Sequence, residues 1–370
     1  VPGALVYMSY NTLPGWTSAI PLQHMLHRLQ ECSSRSGPAI ISQGAELFDA
    51  LIAARAGVVQ AMPPLQARVD GLRRQAPAYL VQEYLHNEWH PLWFSQVADE
   101  LSGAKLRHVG SATLPENYLP GLLSAELAAV VRDHDSGGAL QQELIDLAIN
   151  QSFRRDLYCR GPRSLRGSMQ QLAEQRLIVA HVPEFDAQLE IVGSFGNLNI
   201  RNDVAEAVFA SLKQGPQRIA DLAALPVFSG KPLAEPIQVV TLLLHAGHVV
   251  LEGPALPIER IAAFNDHVAR AVLDGLTPYG NLAARHAPTA VSASDFDMAL
   301  YGLLRDDITL AEAPDKLSAR VLDTLLASSR TIMRDGKVLE SPNDRYERVS
   351  GLTADFLDRA LPVWRRLGIV

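Results

Sequence analysis

The chain opens on a nearly continuous apolar run, Ala4-Leu5-Val6-Tyr7-Met8-Ser9-Tyr10, rich in β-forming residues, which is the pattern of a buried parallel strand. After a loop ending in Pro14-Gly15-Trp16 the period changes. Leu22, Met25, Leu26, Leu29 and Cys32 recur at helical spacing, followed by Leu47, Phe48, Leu51 and Ile52 and then by Leu65, Val69 and Leu72. This predicts a helical insertion over 17–78. Tyr79 to Leu85 then reads as a strand, Trp93, Phe94, Val97 and Leu101 as one face of a helix, and Leu106 to Ala112 as another strand. Residues 1–115 are therefore expected to be α/β.

Farther along, helical spacing dominates. Leu140, Leu144, Ile145, Leu147 and Ala148, closed by Phe153 to Leu157, predict a helical connector over 116–160. Within 161–253 a strand at Gln188 to Gly193 precedes helices at Val204 to Leu212, Ile219 to Leu225 and Pro236 to His245. A last strand follows at His248 to Glu252. That order is winged-helix-like. Residues 254–370 read as mostly helical, broken at Pro278, Gly280, Pro288 and Pro314. The expected fold class is α/β plus mostly α.

Composition narrows the function classes. A length of 370 residues allows two or three compact units, and 48% hydrophobic residues can fill their cores. The net charge of -7 gives no general attraction to nucleic acid or to an anionic membrane. The third helix of the winged-helix-like segment, Pro236 to His245, has no basic residue with which to read DNA. No apolar run reaches the ~18 residues of a membrane span, and no secretory signal pattern opens the chain. The two cysteines, Cys32 and Cys159, form neither a metal spacing nor a disulfide framework, so a cytoplasmic location is expected.

Candidate chemistry concentrates near the first strand. Ligands of open α/β sheets sit beyond the carboxyl ends of strands, where Tyr10, Asn11 and Trp16 fall, and the Pro14-Gly15 turn permits close backbone approach. The competing reading makes Trp16 a cap on the core. His86 and His90 flank Glu88 in a loop, and His245 and His248 lie at a helix end, so neither pair predicts a metal site. No G-x-S-x-G elbow supports a hydrolase.

Tyr7-Met8-Ser9-Tyr10-Asn11-Thr12-Leu13-Pro14-Gly15-Trp16 resembles the fifth strand and following loop of bacterial class I S-adenosylmethionine-dependent methyltransferases. That family includes protein-lysine methyltransferases carrying a methyltransferase regulatory domain. Tyr79-Leu80-Val81-Gln82-Glu83-Tyr84-Leu85 with Pro91-Leu92-Trp93-Phe94 is similar to a second family element. Ser152-Phe153-Arg154-Arg155-Asp156-Leu157-Tyr158-Cys159 is similar to the stretch that leads into the regulatory region. Gln82 stands where the family has His. There is no Asp/Glu-x-Gly-x-Gly loop, and Gly193-Ser194-Phe195-Gly196 does not supply a dinucleotide fingerprint.

The resemblance implies strands five to seven of a Rossmann-like sheet, with 161–253 as the regulatory middle domain and the cofactor-binding half missing. S-adenosylmethionine is then the cofactor of the parent enzyme, with none bound to this chain alone. Tyr10, Trp16 and Tyr84 are expected to wall in an amine of a protein substrate, with Asn11 and Glu83 orienting it, while no catalytic residue is assigned. A stand-alone regulatory or interaction module is the alternative, and a winged-helix DNA-binding regulator a more remote one. The strand Ala4 to Tyr10 is expected to be a sheet edge that pairs, is covered or frays. A homodimer through that edge or through the helical insertion is a further expectation.

Overall fold

The computed structural model describes residues 1–119, 121–134, 137–163, 165, 167–181, 190–193, 196–334 and 336–370. The chain divides into two compact units, one comprising 1–164 with 192–196 and the other 165–191 with 197–370. In the first unit β1 (Leu5–Asn11) leads into the helices α1 (Ile20–Glu31), α2 (Gly37–Ala53), α3 (Gly57–Ala61), α4 (Pro64–Arg74) and α5 (Pro77–Tyr84). These are followed by α6 (Phe94–Gly103), β2 (Leu106–Ser111), α7 (Ala125–His134), α8 (Gly138–Ile149) and β3 (Phe153–Arg160). Leu22, Leu26, Ile40, Phe48, Leu65 and Val69 are fully buried together, so the stretch expected to be a helical insertion folds around a core of its own.

Three sequence expectations are corrected here. Tyr79 to Leu85 is not a strand. Pro77 sits in the first turn of α5, where its fixed φ suits a helix, and Leu80 and Tyr84 are buried at i, i+4 spacing. The stretch 116–160 is not wholly a helical connector, because its last eight residues form β3, the central strand of the sheet β1-β3-β2. Nor does β1 lie buried among parallel strands. It runs antiparallel to β3 with Leu5 opposite Cys159 and Tyr10 opposite Arg154, and its side chains alternate between exposed and half-buried.

Among the described residues no strand pairs with the edge of β1 away from β3. Thr12 N–H donates to Ser152 across the β3 side, whereas Leu92 N–H donates to Asn11 C=O on the far side. Strand alternation then directs the backbone groups of Leu5, Tyr7 and Ser9 to that open side. Leu5 and Tyr7 also expose their side chains, at 69% and 54%.

From 165 onward, a stretch that belongs to the second unit apart from 192–196, the elements begin with α9 (Ser168–Gln175), β4 (Ile178–His181), β5 (Glu190–Gly193), β6 (Gly196–Asn199), α10 (Asn202–Leu212), β7 (Gln217–Arg218), α11 (Ile219–Ala223), α12 (Ala234–His245) and β8 (Val249–Glu252). Residues 188–189 of the expected strand Gln188 to Gly193 lie outside the described residues. A small sheet of order β7-β4-β8 accompanies α10, α11 and α12. Val240, Leu242 and Leu243 of α12 are buried.

The remainder comprises α13 (Ile258–Leu273), β9 (Asn281–Ala283), β10 (Ala290–Ser292), α14 (Asp295–Asp306), α15 (Pro314–Ala327), β11 (Met333–Arg334), β12 (Lys337–Val338), α16 (Pro342–Asp355) and α17 (Leu361–Leu367). Its core is set by Leu300, Tyr301, Leu317, Val321, Trp364 and Leu367. Among the described residues no helix is long and apolar enough to cross a membrane.

Candidate functional site

The carboxyl end of β1 brings several expected residues together. Asn11 Nδ2 donates to Glu83 Oε1 of α5 at 2.5 Å, so these two polar candidates form one half-buried pair. Trp16 stacks in a tilted geometry on Tyr84, with ring centres 5.9 Å apart, and edge-on to Trp89 at 5.7 Å. Trp16 and Tyr84 are only 6% and 4% exposed. They are core residues in this structure, as the capping reading of Trp16 anticipates.

The aromatic wall already faces a cation of its own. Arg68 of α4 lies with its guanidinium 4.4 Å from the Trp16 ring centre and donates through Nη2 to Gly15 C=O. That position is where a substrate ammonium would gain from the ring face. Burial raises the Tyr84 hydroxyl above its ordinary range, and burial together with Glu83 does the same to Tyr79. The accessible polar chemistry at this end is therefore the Asn11–Glu83 pair.

Gly15 serves a different purpose from the one expected of it. A Cβ at this position would lie 2.5 Å from Gln151 C=O and 2.6 Å from Ser152 Cα. The glycine admits the chain's own backbone ahead of β3, with Gly15 N–H donating to Gln151 C=O at 2.9 Å, and leaves no gap there for a ligand.

Tyr10 turns to the opposite face of β1 and enters a group that pattern reasoning missed. Its hydroxyl donates to Asp156 Oδ2 at 2.7 Å. The Arg154 guanidinium donates through Nε to Asp156 Oδ2 at 2.9 Å, through Nη1 to Asp146 Oδ1 at 2.5 Å and through Nη2 to Gln142 Oε1 at 2.8 Å. It also lies 4.5 Å from the Phe94 ring centre. Arg154, Asp146 and Asp156 are 4%, 1% and 1% exposed. His108 Nε2 stands 3.5 Å from Asp156 Oδ1, at the outer limit of a hydrogen bond.

The two carboxyls of this group diverge. Burial pushes Asp146 up to about 7 against the pull of Arg154. Burial acts in the same sense on Asp156, but bonds from His108, Arg154 and Tyr10 outweigh it and hold that carboxyl below its ordinary range. Burial and Asp156 raise the Tyr10 hydroxyl well above the usual range, and burial first, then Asp156, pushes Tyr158 up to about 12.

Beside this network, a bulge in β2 between His108 and Gly110 opens a cleft toward the turn at 114–118 and α8. Asn117 Oδ1 fills the space where a Gly110 Cβ would stand and accepts from Ser111 N–H at 2.8 Å. Among the described residues no group of three His, Cys, Asp or Glu could hold a metal ion.

Residues 76–160 match the family model described as a predicted methyltransferase regulatory domain. The match lies upstream of 161–253, the segment expected to be regulatory, and takes in α5, the bulged β2, α8 and β3. Over 99% of its length the chain is 26% identical to an uncharacterised protein of Synechocystis sp., covering 72% of that protein.

PKMT2 of Rickettsia typhi, solved in complex with AdoHcy, shares the fold at a TM-score of 0.61 and 17% identity. The similarity covers 97% of this chain and 75% of that one. A second structure of PKMT2 gives 0.59 and 15%, over 96% and 74%. The resemblance read in the motifs is thus shown, and these findings support a methyltransferase-related role.

The residues at the end of β1 do not fit S-adenosylmethionine. Gly15 is filled by backbone, and the aromatic rings are closed on one another and on Arg68.

Proposed function

We propose that this chain supplies the substrate side and a regulatory part of an S-adenosylmethionine-dependent protein-lysine methyltransferase. The observation that carries this reading is the open β1 edge beside the Asn11–Glu83 pair. A three-stranded sheet with exposed Leu5 and Tyr7 on its rim is built to continue into further strands. In this reading a unit that binds S-adenosylmethionine pairs along Leu5 to Ser9, and Glu83, held by Asn11, orients the amine of a lysine on a protein substrate. Methyl transfer is an in-line displacement, so the contribution of this chain is positioning and exclusion of water. The cofactor supplies the electrophilic methyl group when bound.

The middle segment fits the same reading as a winged-helix-like module that faces protein. Its helix α12 has no lysine or arginine and buries Val240, Leu242 and Leu243.

The test is transfer of labelled methyl from S-adenosylmethionine to a lysine-rich protein. Residues 1–370 alone should leave it unlabelled, and the chain joined to a cofactor-binding unit should label lysine, with loss of labelling in Glu83→Ala. Labelling by residues 1–370 alone, or of a residue other than lysine, overturns the proposal.

A further inference from the structure

The cleft beside β2 has a volume of about 270 Å³, and its lining falls within 108–154, inside the stretch that matches the regulatory-domain model. Its polar wall is built from buried groups, and most of them are fully used. Arg154 spends three nitrogens on Asp156, Asp146 and Gln142. Glu116 accepts from Gln151 at Oε1 and from Ser111 at Oε2. Asp146 Oδ1 accepts from Arg154, but among the described residues its buried Oδ2 has no partner, and His108 Nε2 on the same wall reaches no full hydrogen bond. A buried carboxylate oxygen left in this state is costly, so the wall lacks one donor. Among the described residues the lining carries the carboxyls of Asp146 and Glu116, the guanidinium of Arg154 and the imidazole of His108.

We propose that this cleft binds a small organic cation whose ammonium or guanidinium N–H donates to Asp146 Oδ2. Such a group supplies the missing hydrogen bond in its stronger, charge-assisted form. A neutral hydroxyl supplies only the weaker form, and an anion meets repulsion from Asp146 and Glu116. The bound cation bridges α8 to β3, since Asp146 and Gln142 come from the helix and Arg154 from the strand. The titratable groups around Asp146 are His108 of β2, Glu116 of the turn, Arg154 and Asp156 of β3 and Tyr10 of β1. Burial acts on both carboxyls bonded to Arg154, but only Asp146 is left above its ordinary value, so binding below neutrality should release a proton from it.

The experiment is calorimetric titration of the full chain with n-butylammonium, n-butylguanidinium and, as the neutral control, n-butanol. Saturable binding is expected for at least one cation and at least tenfold weaker binding for n-butanol. The preferred cation identifies which N–H group the cleft takes. In buffers of different ionisation heat, proton release should appear near pH 6 and vanish near pH 8.5. Asp146→Asn should weaken binding at least tenfold and abolish the release. Should that variant fail to fold, Ile149→Trp fills the cleft while leaving the Asp146–Arg154 pair in place, and the same loss is expected. Equal binding of n-butanol, no saturation by either cation up to ~10 mM, or binding that survives Ile149→Trp overturns the proposal.

Discussion

Asn11, the last residue of β1, donates through Nδ2 to Glu83 Oε1 on α5 at 2.5 Å, joining residues 72 apart in sequence. The bond pins the sheet to the helix that closes the insertion. A hydrogen bond to a charged acceptor contributes about 1.5–3 kcal/mol, so Asn11→Ala should lower stability by that amount. Glu83→Gln, which keeps a neutral acceptor, should lower it by less. Urea midpoints at unchanged m-value provide the measurement, and equal losses for the two variants would contradict this account.

Arg154 holds two buried carboxylates apart. Arg154→Ala leaves the buried Asp156 carboxylate without its guanidinium and Asp146 without its donor, and breaking a buried pair in this way costs about 3–5 kcal/mol. Arg154→Lys should recover only part of the loss, because one ammonium cannot reach three partners in the planar arrangement of the guanidinium. Thermal unfolding of both variants tests this. Full recovery by lysine would show that charge alone is at work.

Asp146 and Asp156 make opposite contributions to pH dependence. With its carboxyl raised from 3.8 to about 7, the folded state retains a proton at Asp146 that the unfolded state gives up between those values. Stability from this group therefore falls as pH rises through that window. Asp156, held low, contributes stability that is present above its ordinary value of 3.8 and lost only as pH falls through its lower folded value. Melting of the wild type and of Asp146→Asn from about pH 4 to about pH 8 should show the wild type losing ground steadily as pH rises. A constant gap would mean that Asp146 is ionised throughout.

Much of the first unit is legible in the sequence because apolar spacing there follows burial. Leu22, Leu26, Phe48, Leu65 and Val69 mark the insertion helices, and Phe94 and Val97 mark α6. β3 is hidden for the opposite reason. Its buried face alternates Arg154, Asp156 and Tyr158, residues that belong inside only because each charge has a partner on another element. Opposite charges two apart, with Asp146 eight residues upstream, were the available signal. α5 misled because Tyr79, Val81 and Tyr84 favour strands, while Pro77 and the Leu80–Tyr84 spacing decide for a helix. At the site, motif order found the Asn11–Glu83 pair but not the direction of Tyr10, since the alternation of a strand sends Tyr10 and Asn11 to opposite faces.

The open rim of β1 makes self-association the expected behaviour of the isolated chain. Among the described residues Leu92 closes the far end, at Asn11, and the outward amides and carbonyls of Leu5, Tyr7 and Ser9 stand beside two exposed apolar side chains. Such a rim is a template for a second strand, and in the absence of a cofactor-binding unit a second copy of the chain is the occupant at hand. Sedimentation over a range of concentrations should therefore show a monomer–dimer equilibrium. Tyr7→Lys should shift it toward monomer by placing a charge on the rim, with little change in melting temperature because Tyr7 is already 54% exposed. Cys159 of β3, the register partner of Leu5, is buried and should stay unreactive in both forms. A dimer that persists unchanged in Tyr7→Lys would move the interface off β1 and toward the insertion helices.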